Sequence, residues 1–520
     1  MPGYVVAMEV PVPENQERSA GASASYTPPP RCESRGSVTL EDGNVLSYAA
    51  IADWVILRDG ERPTAEVFTV SYLLEGNGRE DRPLTFVFNG GPGAASAYLH
   101  LGAVGPRRVA FRSDGTPPPP PARLVENAET WLPFTDLVFV DPVGTGLSRA
   151  LPCADAKPDA KADPKRKPNA LEDHEVPFYG LDRDLDVLCE VVQRTLTRHR
   201  RWTSPIFVAG ESYGGYRGAR LARRLQESSG VGLNGVILIS PALEFPLLNT
   251  SDYDIQSWIA TFPSMAAAAV FHGRSRAFPK GSNPSEVLAE AERFATTRLA
   301  PLLLTGDTAE PGEADATFEE MARLIGLSED LVRVRGGRVP IVTFCRELLR
   351  DRQRVCGLYD AAMSAVDPYP SRERTEGPDP SLAAIDRLFT AGINALLRQD
   401  LGVSSERSYV LLNRQLNEAW KNDVPQHAFE PLVGATDDLR YGMALNPNLH
   451  VFLTHGLYDL VTPYFGSHMV LSQARLDPSL RKNLYIEHFE GGHMFYSWEE
   501  SRRGFRDAIV EFMARAMAQS

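Results

Sequence analysis

A serine flanked by glycines is the first feature of this sequence that could take part in a chemical reaction. Residues 210–214 read G-E-S-Y-G, and no other stretch of the 520 residues has the form G-x-S-x-G. In this pattern the glycines leave space for a sharp turn from strand to helix, which exposes the serine oxygen. An apolar stretch, SPIFVA, precedes the turn and a helical pattern, YRGARLARRLQ, follows it. This context favours Ser212 as a nucleophile over the alternative of an incidental serine in a glycine-rich turn.

A serine hydroxyl is a poor nucleophile near neutral pH, so Ser212 requires a base and an acid that orients the base. Of the ten histidines, His493 is the best placed, because two glycines precede it in E-G-G-H-M, just after an apolar stretch at 483–486. Such a loop would deliver the imidazole to the edge of a sheet. The other histidines of this region are His455 and His468 in the preceding loop and His488 beside the strand.

The acid is expected at the end of another strand. Asp459 closes the turn H-G-L-Y-D, directly after the apolar stretch HVFLT at 450–454. Position alone leaves two interpretations open, a catalytic acid and a loop aspartate that caps the following segment. The order serine, acid, histidine along the chain is that of the α/β-hydrolases and favours the catalytic interpretation.

An activated serine also needs backbone N–H groups that stabilise the oxyanion. The residue after the nucleophile, Tyr213, supplies one of them. A second donor is expected from the glycine-rich loop N-G-G-P-G at 89–93, which follows the apolar stretch LTFVF. By itself this loop fits a glycine turn used for packing equally well. Its combination with the turn at Ser212 favours the catalytic interpretation.

Other chemistries have weaker support. His174 and Glu175 begin a zinc-binding helix pattern, but Phe178 stands where its second histidine would be. The phosphate-binding pattern G-x-x-x-x-G-K-[ST] has no match, and G-T-G at 144–146 lacks the third glycine of a dinucleotide fingerprint. We therefore predict no metal and no cofactor.

Five short motifs follow one another along the chain: FNGGPGAAS at 88–96, DPVGTGLSR at 141–149, GESYGG at 210–215, HGLYDLVTP at 455–463 and EGGHMFY at 490–496. In this order they resemble the serine carboxypeptidase family, and specifically its bacterial, disulfide-poor branch. The resemblance spans residues 60–515 and is weakest in the middle of the chain. It implies an α/β-hydrolase fold with a helical cap over the active site.

The resemblance also implies roles for individual residues. Ser212 corresponds to the nucleophile of the family, Asp459 to its acid and His493 to its base. Gly91 and Tyr213 match the two backbone donors of the oxyanion hole.

Asn89 and Glu211 match residues that hydrogen-bond the C-terminal carboxylate of a substrate. Two carboxylates in contact repel each other, so Glu211 must carry a proton for this task. Three positions depart from the family: Ala94 replaces a cysteine that many members have, Val87 replaces a tryptophan, and Ala103 stands where an acidic or amide residue supports the carboxylate site. The last two changes weaken the carboxylate-binding network and leave the acyl-transfer residues intact.

Apolar stretches and helical patterns alternate along much of the chain, which predicts an α/β core. Nearly continuous apolar runs are typical of strands in a mostly parallel sheet that helices cover on both faces. The expected strands lie at 66–74, 84–88, 137–140, 206–209, 236–239, 450–454 and 483–486, and the expected helices at 182–198, 213–226, 284–304, 382–400 and 498–517.

The changes of pattern predict four parts of the chain. They are a flexible N-terminal arm at 1–40, the first part of an α/β-hydrolase core at 41–244, a mostly helical cap at 245–440, and the second part of the core at 441–520. The polar, proline-rich stretch at 151–178 is expected to be a surface excursion.

Composition limits the partners. The 67 acidic and 54 basic residues give a net charge of −13, which argues against a nucleic-acid partner, and the basic run KADPKRK at 161–167 is typical of a solvated loop. No apolar run reaches the length of a membrane span. The first residues lack the basic start of a secretory signal, and the five cysteines include no C-x-x-C pair. The sequence therefore predicts a cytoplasmic protein with reduced thiols, keeps export as an alternative, and leaves the oligomeric state open.

Taken together, the motifs predict a serine-type carboxypeptidase that acts on the C-termini of peptides or proteins. An esterase or an acyltransferase would use the same triad, so both stay open as alternatives. A catalytically silent hydrolase fold that serves as a binding protein is an alternative of another class. Such proteins usually lack a triad residue, and none is missing here.

Overall fold

The computed structural model describes residues 26–76, 81–152, 172, 174–248, 250–372, 376–423 and 434–518. Within these residues, ten strands form one sheet and two short hairpins stand apart from it. The strands are β1 (Cys32–Thr39), β2 (Val45–Asp59), β3 (Arg62–Leu74), β4 (Leu84–Phe88), β5 (Arg107–Val109), β6 (Leu124–Glu126), β7 (Asp136–Val140), β8 (Arg149–Ala150), β9 (Ile206–Glu211), β10 (Gly235–Ile239), β11 (Arg354–Cys356), β12 (Ser364–Val366), β13 (His450–Thr454) and β14 (Leu484–Ile486).

Helices surround the sheet. They are α1 (Ala97–Leu99), α2 (Leu181–His199), α3 (Tyr213–Ser229), α4 (Gln256–Phe271), α5 (Pro284–Phe294), α6 (Ala300–Thr305), α7 (Pro311–Ile325), α8 (Glu329–Val334), α9 (Ile341–Glu347), α10 (Pro380–Ala395), α11 (Arg414–Ala419), α12 (Thr436–Leu445), α13 (Tyr464–Gln473), α14 (Pro478–Arg481) and α15 (Glu499–Met517). Single π-helical turns at His100–Val104, Ala295–Leu299 and Leu396–Asp400 extend or join helices, and short 3₁₀ turns lie at Val176–Phe178, Phe245–Leu248, Gly306–Thr308, Arg350–Arg352 and Phe495–Ser497.

The strand order of the sheet is β1-β2-β3-β7-β4-β9-β10-β13-β14, with β8 also paired to β3. Strands β7, β4, β9, β10, β13 and β14 run parallel to their neighbours in this group. The first three strands form an antiparallel meander, and β3 pairs with β7 in antiparallel fashion. The predicted mostly parallel α/β-hydrolase core is therefore confirmed.

The central strands are buried along their whole length because helices cover both faces of the sheet. Alternate residues of β9 show this directly: Phe207 packs in a core with α10 and α15, whereas Val208 packs in a second core with α2, α3 and α12. A continuous apolar run, with no polar face, is what burial on both sides requires.

The chain order reverses at β4, which lies between β7 and β9 although it precedes both. Connections leave such a point in opposite directions, so a crevice opens at the carboxyl ends of the strands. The loop after β4 and the turn after β9 both lie at this crevice. These two connections contain the glycine-rich loop at 89–93 and Ser212.

The chain between β10 and β13 is mostly helical, with β11 and β12 as a small hairpin. Helices α4–α9 build a third apolar core, which also includes Tyr458 and Leu460 from the loop after β13. Helix α10 instead packs into the core of the sheet. The division of the chain into a cap and a core at 245 and 440 stays a prediction, although the boundary at 440 falls within α12.

Two expected elements differ from the structure. The predicted flexible arm at 1–40 is wrong at its end, because residues 32–39 form strand β1 on β2. The polar sequence of β1 concealed it, since an edge strand is held by main-chain hydrogen bonds with little apolar burial. The helix expected at 284–304 is divided into α5, a π turn and α6, because Pro301 lacks an N–H and interrupts the regular ladder.

Some predictions fall outside the described residues, among them the basic run at 161–167 and most of the excursion at 151–178. Of the helices that the structure describes, none combines the length and the apolar character needed to cross a bilayer. The four cysteines in the described part of the chain are all free thiols, namely Cys32, Cys189, Cys345 and Cys356.

Candidate active site

Ser212 stands at the turn between β9 and α3 in a strained backbone conformation. Its φ is 61° and its ψ is −124°, which costs a residue with a side chain about 1–3 kcal/mol. Hydrogen bonds on both sides maintain the turn: the Ser212 N–H donates to the Ile239 carbonyl at 2.9 Å, and the Ser212 carbonyl accepts from the Ala242 N–H at 3.0 Å. The side chain of Ser212 stays partly exposed between buried neighbours.

The glycines of the motif are needed because backbone atoms occupy the space of a side chain. A Cβ atom at Gly210 would lie 1.9 Å from the Gly214 carbonyl oxygen, and one at Gly214 would lie 2.7 Å from that of Phe88. Gly90 is equally confined, since its Cβ would lie 2.4 Å from the amide nitrogen of Tyr213. The loop after β4 therefore packs directly against the first turn of α3.

His493 and Asp459 form a buried pair. The His493 Nδ1 lies 2.7 Å from Oδ2 of Asp459. The Oδ1 atom of Asp459 accepts from the backbone N–H groups of Val461 and Thr462 at 2.8 and 3.0 Å, which closes a turn of the kind that aspartate favours. Burial disfavours a charged imidazole, but the charge and hydrogen bond of Asp459 outweigh it and raise the pKa of His493.

Thr462 is a third member of this group that the motifs did not reveal. Its Oγ1 lies 2.7 Å from Oδ2 of Asp459, 3.0 Å from Nδ1 of His493 and 2.9 Å from the Ser240 carbonyl oxygen. Because Nδ1 faces two oxygen acceptors, the neutral imidazole carries its proton there. Nε2 is then left as the basic nitrogen.

Two further groups hold the backbone of His493. Its N–H donates to the Tyr359 carbonyl at 2.5 Å, and its carbonyl accepts from the Ser240 hydroxyl at 2.9 Å. The Tyr359 ring also meets the imidazole edge to face, with 5.4 Å between the ring centres. Tyr359 belongs to the helical segment between β10 and β13, so this segment helps to hold His493 in position.

The N–H groups of Gly91 and Tyr213 are available as donors. In the described part of the chain neither donates to a turn carbonyl or a side chain, and Tyr213, as the first residue of α3, has no acceptor within its helix. Both residues line the cavity that contains Ser212. This arrangement fits the stabilisation of an oxyanion.

Asn89 and Glu211 form a second polar pair beside Ser212. The Asn89 side-chain amide donates to Oε2 of Glu211 at 2.7 Å, and its oxygen accepts from the Leu99 N–H at 3.0 Å. The Tyr496 hydroxyl donates to the same Oε2 at 2.7 Å. Burial raises the pKa of Glu211 to about 7, although the positive charge of His493 and both hydrogen bonds oppose this shift.

A buried ion pair supports Asn89 from behind. Arg217 of α3 donates to the Asn89 carbonyl at 2.6 Å and binds both carboxylate oxygens of Asp184 at 2.7 and 3.1 Å. Its side chain is fully buried. Helix α3, which directly follows Ser212, thus also fixes the backbone of the facing loop.

The motif at 141–149 has a structural task. Oδ1 of Asp141 accepts hydrogen bonds from the N–H and hydroxyl of Ser96 at 2.8 and 2.7 Å, and from the Tyr409 hydroxyl at 3.1 Å. These bonds hold the chain just after the glycine-rich loop. At the position where the family resemblance expects a supporting acid or amide, Ala103 offers only a buried methyl group.

A cavity of about 650 Å³ joins these parts. All predicted site residues except Asp459 line it, and Asp459 is fully buried behind His493. The remaining lining is mainly apolar and aromatic. Among the described residues, no group of three or more His, Cys, Asp and Glu side chains is arranged to hold a metal ion.

The other candidate histidines lie outside the cavity lining. His455 is buried with its ring nitrogens near the Thr462 carbonyl and the Ser467 hydroxyl, both at 2.9 Å. The Nε2 atoms of His468 and His488 lie 2.8 Å apart and so share one proton.

Comparisons with known proteins extend this description. The family model "Serine carboxypeptidase" matches residues 64–246, a segment that includes the glycine-rich loop and Ser212. The resemblance to the serine carboxypeptidases is confirmed. The pheromone-processing carboxypeptidase KEX1 of Saccharomyces cerevisiae is 34% identical over 142 residues, which cover 27% of this chain and 16% of that protein. The matched part is therefore a small fraction of the yeast protein. The match to the serine carboxypeptidase model supports a hydrolase of the serine type.

Solved structures similar to this chain include two hydrolases. The proline iminopeptidase of Mycobacterium smegmatis has a TM-score of 0.35 and 15% identity, over 90% of this chain and 100% of its own. An aryl esterase from Burkholderia cenocepacia, described as putative in its published structure, has a TM-score of 0.33 and 12% identity, over 92% and 99%. The sheet topology of this chain, given above, carries the fold assignment by itself.

We expect Gly210→Ala to disrupt the turn, because the new Cβ would meet a backbone oxygen that cannot move away without shifting α3. The free energy of unfolding should fall by about 3 kcal/mol or more. Thermal and urea unfolding measure this change. The matched control is Gly232→Ala, where no atom lies within 4 Å of the new Cβ. Equal stability of the two variants would contradict the role assigned to Gly210.

Proposed function

We propose that this protein is a serine-type carboxypeptidase that releases C-terminal residues through an acyl-enzyme on Ser212. The observation that carries the proposal is the position of the Asn89–Glu211 pair. Glu211 precedes Ser212 in the chain, and both line one cavity. A terminal carboxylate held by this pair would place the last peptide bond, and no internal one, at the Ser212 oxygen.

The acylation step follows from the hydrogen bonds of His493. Nδ1 is held by Asp459 and Thr462, so Nε2 accepts the proton of Ser212 as its oxygen bonds to the peptide carbonyl carbon. The carbonyl oxygen becomes negative and is stabilised by the N–H groups of Gly91 and Tyr213. The C–N bond then breaks, and His493 gives its proton to the leaving amine. Water attacks the ester in the same way and restores Ser212.

Recognition of the carboxylate needs a proton on Glu211. Two ionised carboxyl groups in contact repel, whereas a neutral carboxyl donates a hydrogen bond to the charged one. The burial that raises the pKa of Glu211 to about 7 keeps this proton in place up to neutral pH. An esterase or an acyltransferase does not have to bind a terminal carboxylate. A protonated Glu211 therefore favours the peptidase over both alternatives.

Triad activity is tested with a fluorophosphonate probe and with peptides that have free or amidated C-termini. We expect Ser212 to be labelled, and we expect release of single C-terminal residues from the free peptides only. Ser212→Ala and His493→Ala should each lower the rate by at least about 10⁴-fold, because the nucleophile and base act as a unit.

Labelling without release of amino acids would replace the peptidase by the esterase or acyltransferase alternative. A folded protein that the probe does not label would support the silent binding protein.

The pH dependence separates recognition from acyl transfer. Activity on free-carboxyl peptides should rise as His493 loses its proton and then fall about tenfold per pH unit above about pH 7, as Glu211 ionises. Amidated or ester substrates should show only the rise. Glu211→Gln carries an amide donor at every pH, so the alkaline fall should disappear. If the variant and the wild type had the same profile, Glu211 would have no part in binding the carboxylate.

The cavity lining also indicates the preferred C-terminal residue. Among the described lining residues, only Glu211 and His493 are ionisable at neutral pH. Leu382 lines the cavity one helical turn before Asp386, and the Tyr98 hydroxyl donates to Asp386 at 2.8 Å. Tyr98 itself lines the cavity together with Leu382 and Glu211, so we assign this wall to the side chain of the leaving residue.

We therefore expect peptides ending in Phe or Leu to exceed those ending in Lys or Arg by at least about tenfold in kcat/KM, since an unpaired charge would lose its hydration here. Leu382→Asp should raise the relative use of basic ends. The control is Leu304→Asp, at a position that is 78% exposed and outside the cavity lining. A preference for basic ends in the wild type would contradict this assignment.

A further inference from the structure

The hydrogen bonds of Glu211 are divided unevenly between its two carboxyl oxygens. Oε2 accepts from the Asn89 amide and from the Tyr496 hydroxyl, both at 2.7 Å. Among the described residues, Oε1 accepts no hydrogen bond. The two donors therefore distinguish the oxygens although the carboxyl group is chemically symmetric.

This asymmetry decides where a proton on Glu211 resides. A neutral carboxyl group has one oxygen that carries the hydrogen and one that offers its lone pairs. The N–H donor of Asn89 and the O–H donor of Tyr496 occupy the lone pairs of Oε2. The hydrogen of the neutral carboxyl group therefore belongs on Oε1. Glu211 lines the cavity, and Oε1 is the oxygen left for a ligand there.

We propose that Tyr496 is a positioning residue that, with Asn89, directs the proton of Glu211 towards the substrate carboxylate. The proposal deepens the carboxypeptidase assignment and rests on it. Tyr496 acts through Glu211, because it is fully buried and is not part of the cavity lining. Its hydroxyl is thus a fixed donor with no competing water contact from the cavity.

The surroundings of Tyr496 hold the ring in one place. A Cβ atom at Gly102 would lie 2.4 Å from the ring, so the absence of a side chain there provides the space that the ring fills. Tyr496 also lies three residues after His493 in the same loop. One segment therefore supplies the base and the donor that orients the recognition group.

The titratable groups that influence the pKa of Glu211 are His493, Tyr496 and Asp459, and Tyr98 lines the same cavity. The hydroxyl of Tyr496 stabilises the ionised form of Glu211 and opposes the rise in its pKa. Removal of the hydroxyl alone should therefore have two effects. The proton of Glu211 persists to higher pH, and its preference for Oε1 weakens because only the Asn89 amide still donates to Oε2.

Tyr496→Phe removes the hydroxyl and keeps the ring. On free-carboxyl peptides we expect the alkaline fall in kcat/KM to move up by about one pH unit, and KM at pH 6 to rise about fivefold with kcat within twofold. Ester hydrolysis should keep the wild-type profile, which also shows that the variant is folded. The matched control is Tyr72→Phe, which removes a buried hydroxyl bonded to His100 at 2.8 Å and should change neither quantity.

The Glu211→Gln background provides a second test, because no proton is present there to be directed. In that background Tyr496→Phe should produce no pH shift. Binding can also be measured without turnover: Ser212→Ala titrated with a free-carboxyl peptide by calorimetry across pH should show the same one-unit shift when Tyr496→Phe is added.

If Tyr496→Phe changed neither the pH of the alkaline fall in kcat/KM nor the KM, the role of Tyr496 would be overturned. A pH shift caused by Tyr496→Phe in the Glu211→Gln background would overturn it as well. Failure of the proposed function has a different signature, since the wild type itself would then release no C-terminal residues.

Discussion

The backbone turn at Ser212 is the constraint on which the rest of the site depends. In a regular strand, successive side chains point to opposite faces, so Glu211 and Ser212 could not line one cavity. The positive φ of Ser212 breaks this alternation and brings the Glu211 carboxyl, the Ser212 hydroxyl and the Tyr213 N–H to one point. The turn thus places Glu211, Ser212 and Tyr213 in the lining of one cavity. The turn requires glycine at positions 210 and 214, because any side chain there would meet backbone atoms.

Two buried carboxyl groups divide the work according to their partners. Asp459 accepts from two backbone N–H groups, the Thr462 hydroxyl and the His493 imidazole, a set of donors suited to a carboxylate that stabilises an imidazolium. Glu211 has donors on one oxygen only, and burial dominates its pKa. The same carboxyl chemistry therefore orients the imidazole in one place and, under the proposed function, can donate to a substrate carboxylate in the other.

The strands, and the grouping of Ser212, Asp459 and His493 at one edge of the sheet, could be predicted from the sequence because each of these residues follows a strand with an apolar pattern. Parallel strands bring their carboxyl ends to one edge of the sheet, so Ser212, Asp459 and His493 meet there without any knowledge of packing. Thr462 and Tyr496 could not be predicted in this way. Both lie within motifs that the sequence offered, but nothing in those motifs shows which groups the hydroxyls contact. Only the close approach of segments up to 285 residues apart reveals their partners. Strand β1 could not be predicted for a related reason. It is held by main-chain hydrogen bonds to β2, and such bonds require no particular pattern of side chains.

The division of the triad along the chain has a structural counterpart. Ser212 is tied to the sheet through Ile239 and Ala242. His493, in contrast, donates its N–H to Tyr359 of the helical segment, and the residues on either side of Asp459 pack into the core that α4–α9 build. Ser212 thus belongs to the sheet, whereas Asp459 and His493 are held between the sheet and the helical segment. Glu211 and Tyr359 both line the cavity, so the cavity spans this junction between the sheet and the helical segment.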